Sequence, residues 1–263
     1  MGPQEGMSVL VEDGKIAEIA RGKSYAGLKT YDLKGAYLLP GLIDLHVHLA
    51  GTGKPVKMPS PAGQDRKKEE ENKEEGQASR PAKGSRIRSM IFASMEHGFI
   101  HKGLVKNVRN NILTKLNSGV TTLRSGELYW SDLENRDLIN AGKYVGPRVL
   151  VSGTGVSVPG GHMAGTMAAP CEDIGQAIAT VDRACERKAD WVKIFVTGGV
   201  MDASDSGEPA RVRMSYEMAK AACDEAHAHG YRVASHAESA KGSGSPCGQA
   251  STRWSTARPW TRR

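Results

Sequence analysis

Two histidines one residue apart stand at the end of an apolar run. The run reads Leu39-Pro40-Gly41-Leu42-Ile43-Asp44-Leu45-His46-Val47-His48. Side chains alternate between the two faces of a strand, so His46 and His48 are predicted to share one face with Asp44. Two imidazoles on one face can bind a single divalent metal ion, at the roughly 2.0–2.1 Å that zinc prefers. The alternative interpretation is a core strand whose two histidines are only hydrogen-bonded.

A lone lysine within another apolar run is the second candidate for chemistry. Lys193 is the only charged residue in 191–196, and alternation places it on the same face as Trp191 and Phe195. Because the aliphatic residues of the opposite face suit contact with helices, Lys193 is predicted to point into a barrel. Burial lowers the pKa of a lysine below its usual value of about 10.4. The neutral amine can then add carbon dioxide, and the resulting carbamate can bridge two metal ions. The alternative is a buried lysine paired with a carboxylate.

A third histidine ends the last predicted strand. His236 closes the run 231–236, and the C-terminal ends of barrel strands are where catalytic groups collect. A single histidine in this position is often structural. Together with His46, His48 and Lys193, however, it gives three strand ends that carry metal-ligand side chains.

Strands and helices alternate through most of the chain and predict the elements that position these groups. A hairpin is predicted at 8–19, around the turn Glu12-Asp13-Gly14. The expected helices are 105–116, 132–141, 174–187 and 214–229, and the expected strands are 119–124, 148–152, 191–196 and 231–236. His227 and His229, in the last turn before Gly230, are expected to be structural because the helix dipole favours a cation there. This βα repetition predicts an α/β fold, an incomplete TIM-type (β/α)8 barrel of about five βα units.

Composition shifts along the chain indicate three regions. Residues 1–38 are predicted to form part of a small β-sandwich, and 39–241 part of an α/β barrel with a mobile, charged insertion at 51–85. Residues 242–263 lack apolar periodicity, and we interpret them as an out-of-frame tail after Lys241. The N-terminus is interpreted as clipped, because it starts after the position of a first strand of the sandwich.

Charge, cysteines and hydropathy limit the class of protein. The net charge is +7, but four of the arginines lie after Lys241 without an acid, so a nucleic-acid partner is not expected. No apolar run is long enough to cross a membrane, and no secretory signal precedes the hairpin. The four scattered cysteines are typical of reduced thiols, so we expect a cytoplasmic protein. A homo-oligomer is compatible with the sequence.

The ligand pattern of His46, His48, Lys193 and His236 resembles that of the binuclear amidohydrolase superfamily. The stretches 119–125, 146–162 and 193–199 are similar to its metal-dependent amide and peptide hydrolases, which include Xaa-Pro dipeptidases and related carboxypeptidases. Imidazolonepropionase-like deaminases share the fold but resemble the chain less. The resemblance implies two divalent metal ions, with zinc as the expected metal, and a carbamate on Lys193.

The resemblance also implies a reaction, the hydrolysis of a C–N bond in a dipeptide or an N-acyl amino acid. A hydroxide between two metal ions attacks the amide carbonyl in this mechanism. His162, in a glycine-rich loop, resembles the family's substrate-contacting histidine and is expected to stabilise the oxyanion. Arg124 is expected to bind a substrate carboxylate.

The end of the chain departs from the family pattern, in which strand six supplies a histidine and strand eight an aspartate. We therefore expect an open barrel that exposes Lys193 to water and restores its ordinary pKa, with little or no activity. Two other interpretations stay open. One is a cyclic-amide hydrolase or deaminase on the same fold, and the other is a non-catalytic remnant.

Overall fold

The computed structural model describes residues 2–51, 98–126, 130–165, 167–200 and 207–239. The predicted insertion, apart from Gly51, and the predicted tail at 242–263 lie outside the described residues. The chain divides into two compact units, Met1–Pro40 and Gly41–Arg263.

The first unit contains the predicted hairpin. Strands β1 (Met7–Glu12) and β2 (Lys15–Arg21) pair in an antiparallel ladder. The turn residues Asp13 and Gly14 both have positive φ, 50° and 69°. Two such residues form the turn type whose twist matches that of a hairpin, which explains the Asp-Gly pair in the sequence.

The second unit is built from parallel strands separated by helices. Its strands are β3 (Leu42–Val47), β4 (Val120–Ser125), β5 (Arg148–Val151), β6 (Gly155–Ser157), β7 (Ala168–Pro170), β8 (Val192–Phe195) and β9 (Val233–His236). Its helices are α1 (Gly98–Asn117), α2 (Trp130–Asn140), α3 (Ile174–Glu186) and α4 (Tyr216–Ala228). The sheet orders are β3-β4-β5 and β7-β6-β8-β9, and every ladder in them is parallel. The structure thus confirms the predicted α/β class and is consistent with a partial TIM-type barrel.

Local sequence signals explain where two of the helices begin. Asp173 caps α3 by accepting a hydrogen bond from the backbone N–H of Gln176 at 2.8 Å. Ser215 caps α4 in the same way, accepting from Met218 N at 3.2 Å. These contacts satisfy backbone donors that the first turn of a helix leaves free. Gly230, just beyond α4, adopts the expected positive φ of 77°.

A buried ion pair connects the two sheets where no ladder joins them. Asp190, just before β8, donates its N–H to the carbonyl of Val151 at 2.7 Å. Its Oδ2 accepts from Val151 N and from Arg136 Nη1, both at 2.8 Å. The strands therefore follow the order β3-β4-β5-β8-β9, and the chain bends between β5 and β6 at Gly153, whose φ is +67°.

Two apolar clusters fill the space between strands and helices. One packs α3 and α4 against β8, and the other packs α1 against β4 and β5. Small residues line the first cluster and allow the helices to approach closely; they include Ala177, Ala219, Ala222 and Ala226. Within the described ranges, no helix combines the length and hydropathy that a membrane span requires.

The apolar side chains of β3 are largely exposed. Leu42, Ile43 and Leu45 are 62%, 63% and 54% exposed. Neither apolar cluster of the described residues includes these three side chains, and among the described strands β3 pairs with β4 alone. Two smaller differences concern element bounds. Helix α1 begins at Gly98 rather than at 105. Strands β6 and β7 were not predicted, because an element of three residues is too short to show alternating apolar and polar side chains.

We predict that Gly153→Ala destabilises the protein because a Cβ there would lie 2.8 Å from the Trp130 ring. Gly142→Ala is the matched control, since Gly142 has the same φ of +67° but nothing lies within 4 Å of a Cβ added there. Overpacking typically costs about 1–3 kcal/mol, so Gly153→Ala should lower the free energy of unfolding by about that much more than the control. Urea denaturation of both variants measures the difference, and equal losses would contradict the prediction.

Candidate metal centre

The structure places the predicted ligands at the carboxyl edge of the strands. His46 lies in β3 and His48 follows it, with ring centroids 5.2 Å apart. Lys193 lies in β8 beside β9, which ends at His236, and the register pairs His236 with Phe195. The positive charge of Lys193 lowers the pKa of both His46 and His236, so the groups of the two sheets are close enough to interact.

Lys193 is buried, and the expectation that the open barrel exposes it is wrong. Its relative exposure is 4%. Burial, followed by the charge of Arg124, lowers its pKa to about 8. Phe195 covers it, with the ring centroid 5.2 Å from Nζ. Gly155 leaves room for both side chains, since a Cβ there would lie 2.7 Å from the Phe195 ring and 3.4 Å from Lys193 Cβ.

The alternative of a lysine paired with a carboxylate is not what the described residues show. No Asp or Glu among them lies within 4.0 Å of Lys193 Nζ. At pH 8 a lysine with this pKa is neutral in about half of the molecules, whereas a lysine with the ordinary pKa is neutral in under about 1% of them. The amine therefore has the protonation state that reaction with carbon dioxide requires.

His236 is held as a neutral imidazole with one nitrogen engaged. Burial, followed by the charges of His162 and Lys193, lowers its pKa to about 4. Its Nε2 lies 3.1 Å from the carbonyl oxygen of Gly198 and 3.2 Å from Glu238 Oε1. The Gly198 carbonyl can only accept, so Nε2 carries the proton and the lone pair is assigned to Nδ1. Metal-binding histidines characteristically use their second nitrogen in this way.

His162 stacks on His236 in the interior of the site. The ring centroids are 4.2 Å apart, and His162 is 8% exposed. Ser157 Oγ donates to the carbonyl of His162 at 2.9 Å and fixes the loop. Gly199 permits the ring position, because a Cβ there would lie 2.0 Å from His162 Nδ1. The sequence analysis did not predict this close approach of Gly199 to the His162 ring. The Gly198-Gly199 pair after β8 could have indicated it.

Arg124 is oriented from two sides at the end of β4. Its Nε donates to the carbonyl of Leu45 at 2.6 Å, and its guanidinium carbon lies 5.0 Å from the Trp191 ring centroid. Desolvation lowers its pKa, which nonetheless stays in the range of a permanent cation. No described carboxylate lies within 4.0 Å of it. The supporting role of Trp191 was not predicted, although alternation had placed this residue on the Lys193 face.

His46, in the first strand of the site, has a lowered pKa. Desolvation by surrounding protein atoms is the largest cause, and the charges of Lys193, His48 and Arg124 lower the pKa further, although His46 itself is exposed. Asp44 does not join the histidines. Partial burial acts to raise its pKa, but Lys115 Nζ at 3.0 Å and His46 N at 3.2 Å bring the pKa below the ordinary value.

This donor set fits divalent metal ions that are held by nitrogen and carbamate oxygen. Among the described residues, the one group of three His, Cys, Asp or Glu donors that all lie within 4.8 Å of one another is on the helices, at Asp182, Glu225 and His229. The described histidines of the strand ends therefore do not form a three-donor shell by themselves. A carboxylated Lys193 would add an oxygen ligand to this set.

Comparison with known proteins defines the family. The sequence profile described as "Amidohydrolase family" matches residues 37–249. The chain belongs to this family.

Individual family members match over different parts of the chain. An imidazolonepropionase from Nocardia farcinica is 26% identical over 205 residues, 77% of this chain and 47% of that protein. A dihydroorotase from Trichlorobacter lovleyi is 45% identical over 53 residues, 20% of this chain and 12% of that protein. A provisionally assigned prolidase from Bifidobacterium longum is similar in structure, with a TM-score of 0.56, 27% identity, and coverage of 93% of this chain and 46% of that one. The chain thus spans about half the length of the imidazolonepropionase and the prolidase.

We predict that Gly199→Ala displaces His162 from its stack on His236, because the added methyl group would overlap the His162 ring. The histidine side-chain resonances of His236 should shift in nuclear magnetic resonance spectra, and the free energy of unfolding should fall by about 1–3 kcal/mol. Gly103→Ala is the control, since Gly103, like Gly199, lacks a positive φ, and nothing lies within 4 Å of a Cβ added there. Unchanged His236 resonances in the Gly199 variant would show that the loop relaxes without moving the ring.

Proposed function

We propose that this protein is a metal-dependent hydrolase of amide or peptide C–N bonds, acting on dipeptides or N-acyl amino acids. The observation that carries the proposal is a buried lysine, with a pKa of about 8, between histidines at neighbouring strand ends. A structural lysine has no need of this environment, which costs free energy by disfavouring the charged amine. The family relationship and the likeness to a prolidase support the same reaction class.

His46, His48, Lys193 and His236 would hold two divalent metal ions, with zinc as the first choice. Neutral imidazoles and an oxygen from carboxylated lysine suit zinc, although manganese and cobalt accept similar ligands. The bound ions would supply a hydroxide at neutral pH and polarise the carbonyl of the substrate.

The carbamate forms by addition of carbon dioxide to the neutral amine of Lys193. The nitrogen lone pair bonds to the carbon of carbon dioxide, and one N–H proton is released to solvent. The product is an anion on the lysine in a pocket whose neighbours are Arg124 and several imidazoles. The positive charge of Arg124 favours the anion electrostatically and so shifts this reversible reaction toward the carbamate.

His162 and Arg124 are assigned to the substrate. His162 is held rigidly by the stack on His236 and can donate a hydrogen bond to the oxygen that gains charge during attack. Arg124 keeps terminal guanidinium nitrogens available while its Nε bonds to Leu45. A dipeptide or an N-acyl amino acid carries the carboxylate that would bind there in a bidentate manner.

The proposed carbamate can be detected and then linked to activity. The purified chain, supplied with Zn²⁺ and ¹³C-bicarbonate, should give a carbamate carbon signal that is lost in Lys193→Ala and kept in Lys106→Ala, a change at an exposed lysine of α1. Hydrolysis of Xaa-Pro dipeptides should fall by about 100-fold or more in Lys193→Ala, as expected for loss of a group that stabilises the transition state. A short carboxylic acid should restore part of the activity, because it replaces the missing anion.

Two outcomes would contradict this function. One is the absence of the carbamate signal together with activity that Lys193→Ala leaves unchanged. The other is hydrolysis that survives complete removal of metal by a chelator.

A second reaction class has its own support in the short dihydroorotase match and the longer imidazolonepropionase match. A cyclic-amide hydrolase or a deaminase would use the same strand-end histidines. Assays with dihydroorotate and with imidazolone substrates separate these activities from dipeptide hydrolysis. Lys193→Ala adds a further distinction, since a deaminase with a single metal ion should tolerate the loss of the bridging lysine.

A further inference from the structure

Three potential metal ligands meet on the outer helix layer. Asp182 belongs to α3, Glu225 to α4, and His229 is the C-cap residue of α4. Their donor atoms all lie within 4.8 Å of one another. Because α3 and α4 run back to the beginning of β8 and β9, their C-terminal ends lie at the opposite edge of the sheet from His236. The cluster is therefore separate from the strand-end site.

The distances in the cluster suit a metal ion better than a single hydrogen bond. His229 Nε2 lies 3.1 Å from Asp182 Oδ1 and 3.1 Å from Glu225 Oε1. An imidazole nitrogen carries at most one proton, which can point directly at only one of the two oxygens. Ligands of a tetrahedral zinc ion, each about 2.0–2.1 Å from the metal, are about 3.3 Å from one another. Both contacts are close to that spacing.

The electrostatics of the cluster also favour a cation. Two carboxylates from different helices face the same nitrogen, and the ion pairs of Asp182 and Glu225 both involve His229. The C-terminal end of a helix carries partial negative charge, which adds to that of the carboxylates. Nearby Cys185 does not compete as a ligand, since burial and the charges of Asp182 and Glu225 raise its pKa to about 11.

We propose that Asp182, Glu225 and His229 bind one zinc-class divalent cation that links α3 to α4. The remaining coordination position is open to water, since Asp182 and His229 are 39% and 45% exposed. Three protein ligands of the His-carboxylate type are an arrangement that zinc accepts.

A cation at this position would stabilise the layer that carries the strand-end site. The helices α3 and α4 form one apolar cluster with β8 and β9. The strands in turn carry Lys193 and His236. The cation would thus hold α3 and α4 together. It would stabilise the folded state by an amount that rises with the logarithm of the cation concentration relative to Kd.

The test uses a parent protein with His46→Asn and His48→Asn, in which the strand-end site is weakened. Equilibrium dialysis against Zn²⁺ should show one ion bound per chain at micromolar concentration, and Zn²⁺ should raise the temperature of unfolding. Asp182→Asn, Glu225→Gln and His229→Gln, each made in this parent, should weaken binding by about tenfold or more. The absorption of bound Co²⁺ should show the intense visible bands of tetrahedral coordination.

Asp224→Asn is the matched control, since Asp224 is an exposed acid next to Glu225 that pairs with Lys220 instead. It should leave the affinity for Zn²⁺ unchanged. Circular dichroism confirms that each variant is folded, and the three separate ligand changes guard against the failure of any one. Equal binding by all variants, or binding only at millimolar Zn²⁺, would show an adventitious ion only and would overturn the proposal.

Discussion

The ion pair between Arg136 and Asp190 is the interaction on which the remaining architecture depends. Arg136 is 7% exposed, and Asp190 also bonds both backbone groups of Val151. Because Arg136 is buried, loss of Asp190 would leave its charge without compensation, which is destabilising even though the Asp190 side chain is 26% exposed. Asp190 also joins the two sheets, since its backbone N–H and its Oδ2 both bond to Val151 just before β8 begins.

Lys193 is buried because a glycine and a large aromatic side chain lie next to it on β6 and β8. Gly155 on the neighbouring strand gives space, and the Phe195 ring lies near the Lys193 amine. This ring excludes water without offering a counter-charge. Desolvation consequently lowers the pKa of the amine within the described part of the barrel. Local packing, and not closure of the barrel, provides the low-dielectric environment.

Sequence predicted the parts of this fold that periodicity encodes. The recurring apolar strands and helices predicted the α/β order, and alternation placed Lys193 on the same face as Phe195, which it contacts. Alternation does not encode which elements pack over the apolar side of β3, and that side is exposed. The close approach of Gly199 to His162 depends on two segments that are distant in sequence, and so does the depth at which Lys193 is buried. Such properties arise from tertiary packing and could not be predicted from one chain.

The strand-end site concentrates bases and cations, and its charge explains which ligands it can accept. Repulsion and desolvation lower the pKa of Lys193, His46 and His236, so these groups lose protons and keep lone pairs. Arg124 retains its charge, and two divalent ions would add four positive charges. Such a site is favourable only if anions enter with the metal. Conversion of the Lys193 amine to a carbamate would supply one such anion, and a substrate carboxylate at Arg124 would supply another. Loss of the proton from the Lys193 amine must come before these steps, since a protonated lysine can neither react with carbon dioxide nor remain next to a metal ion.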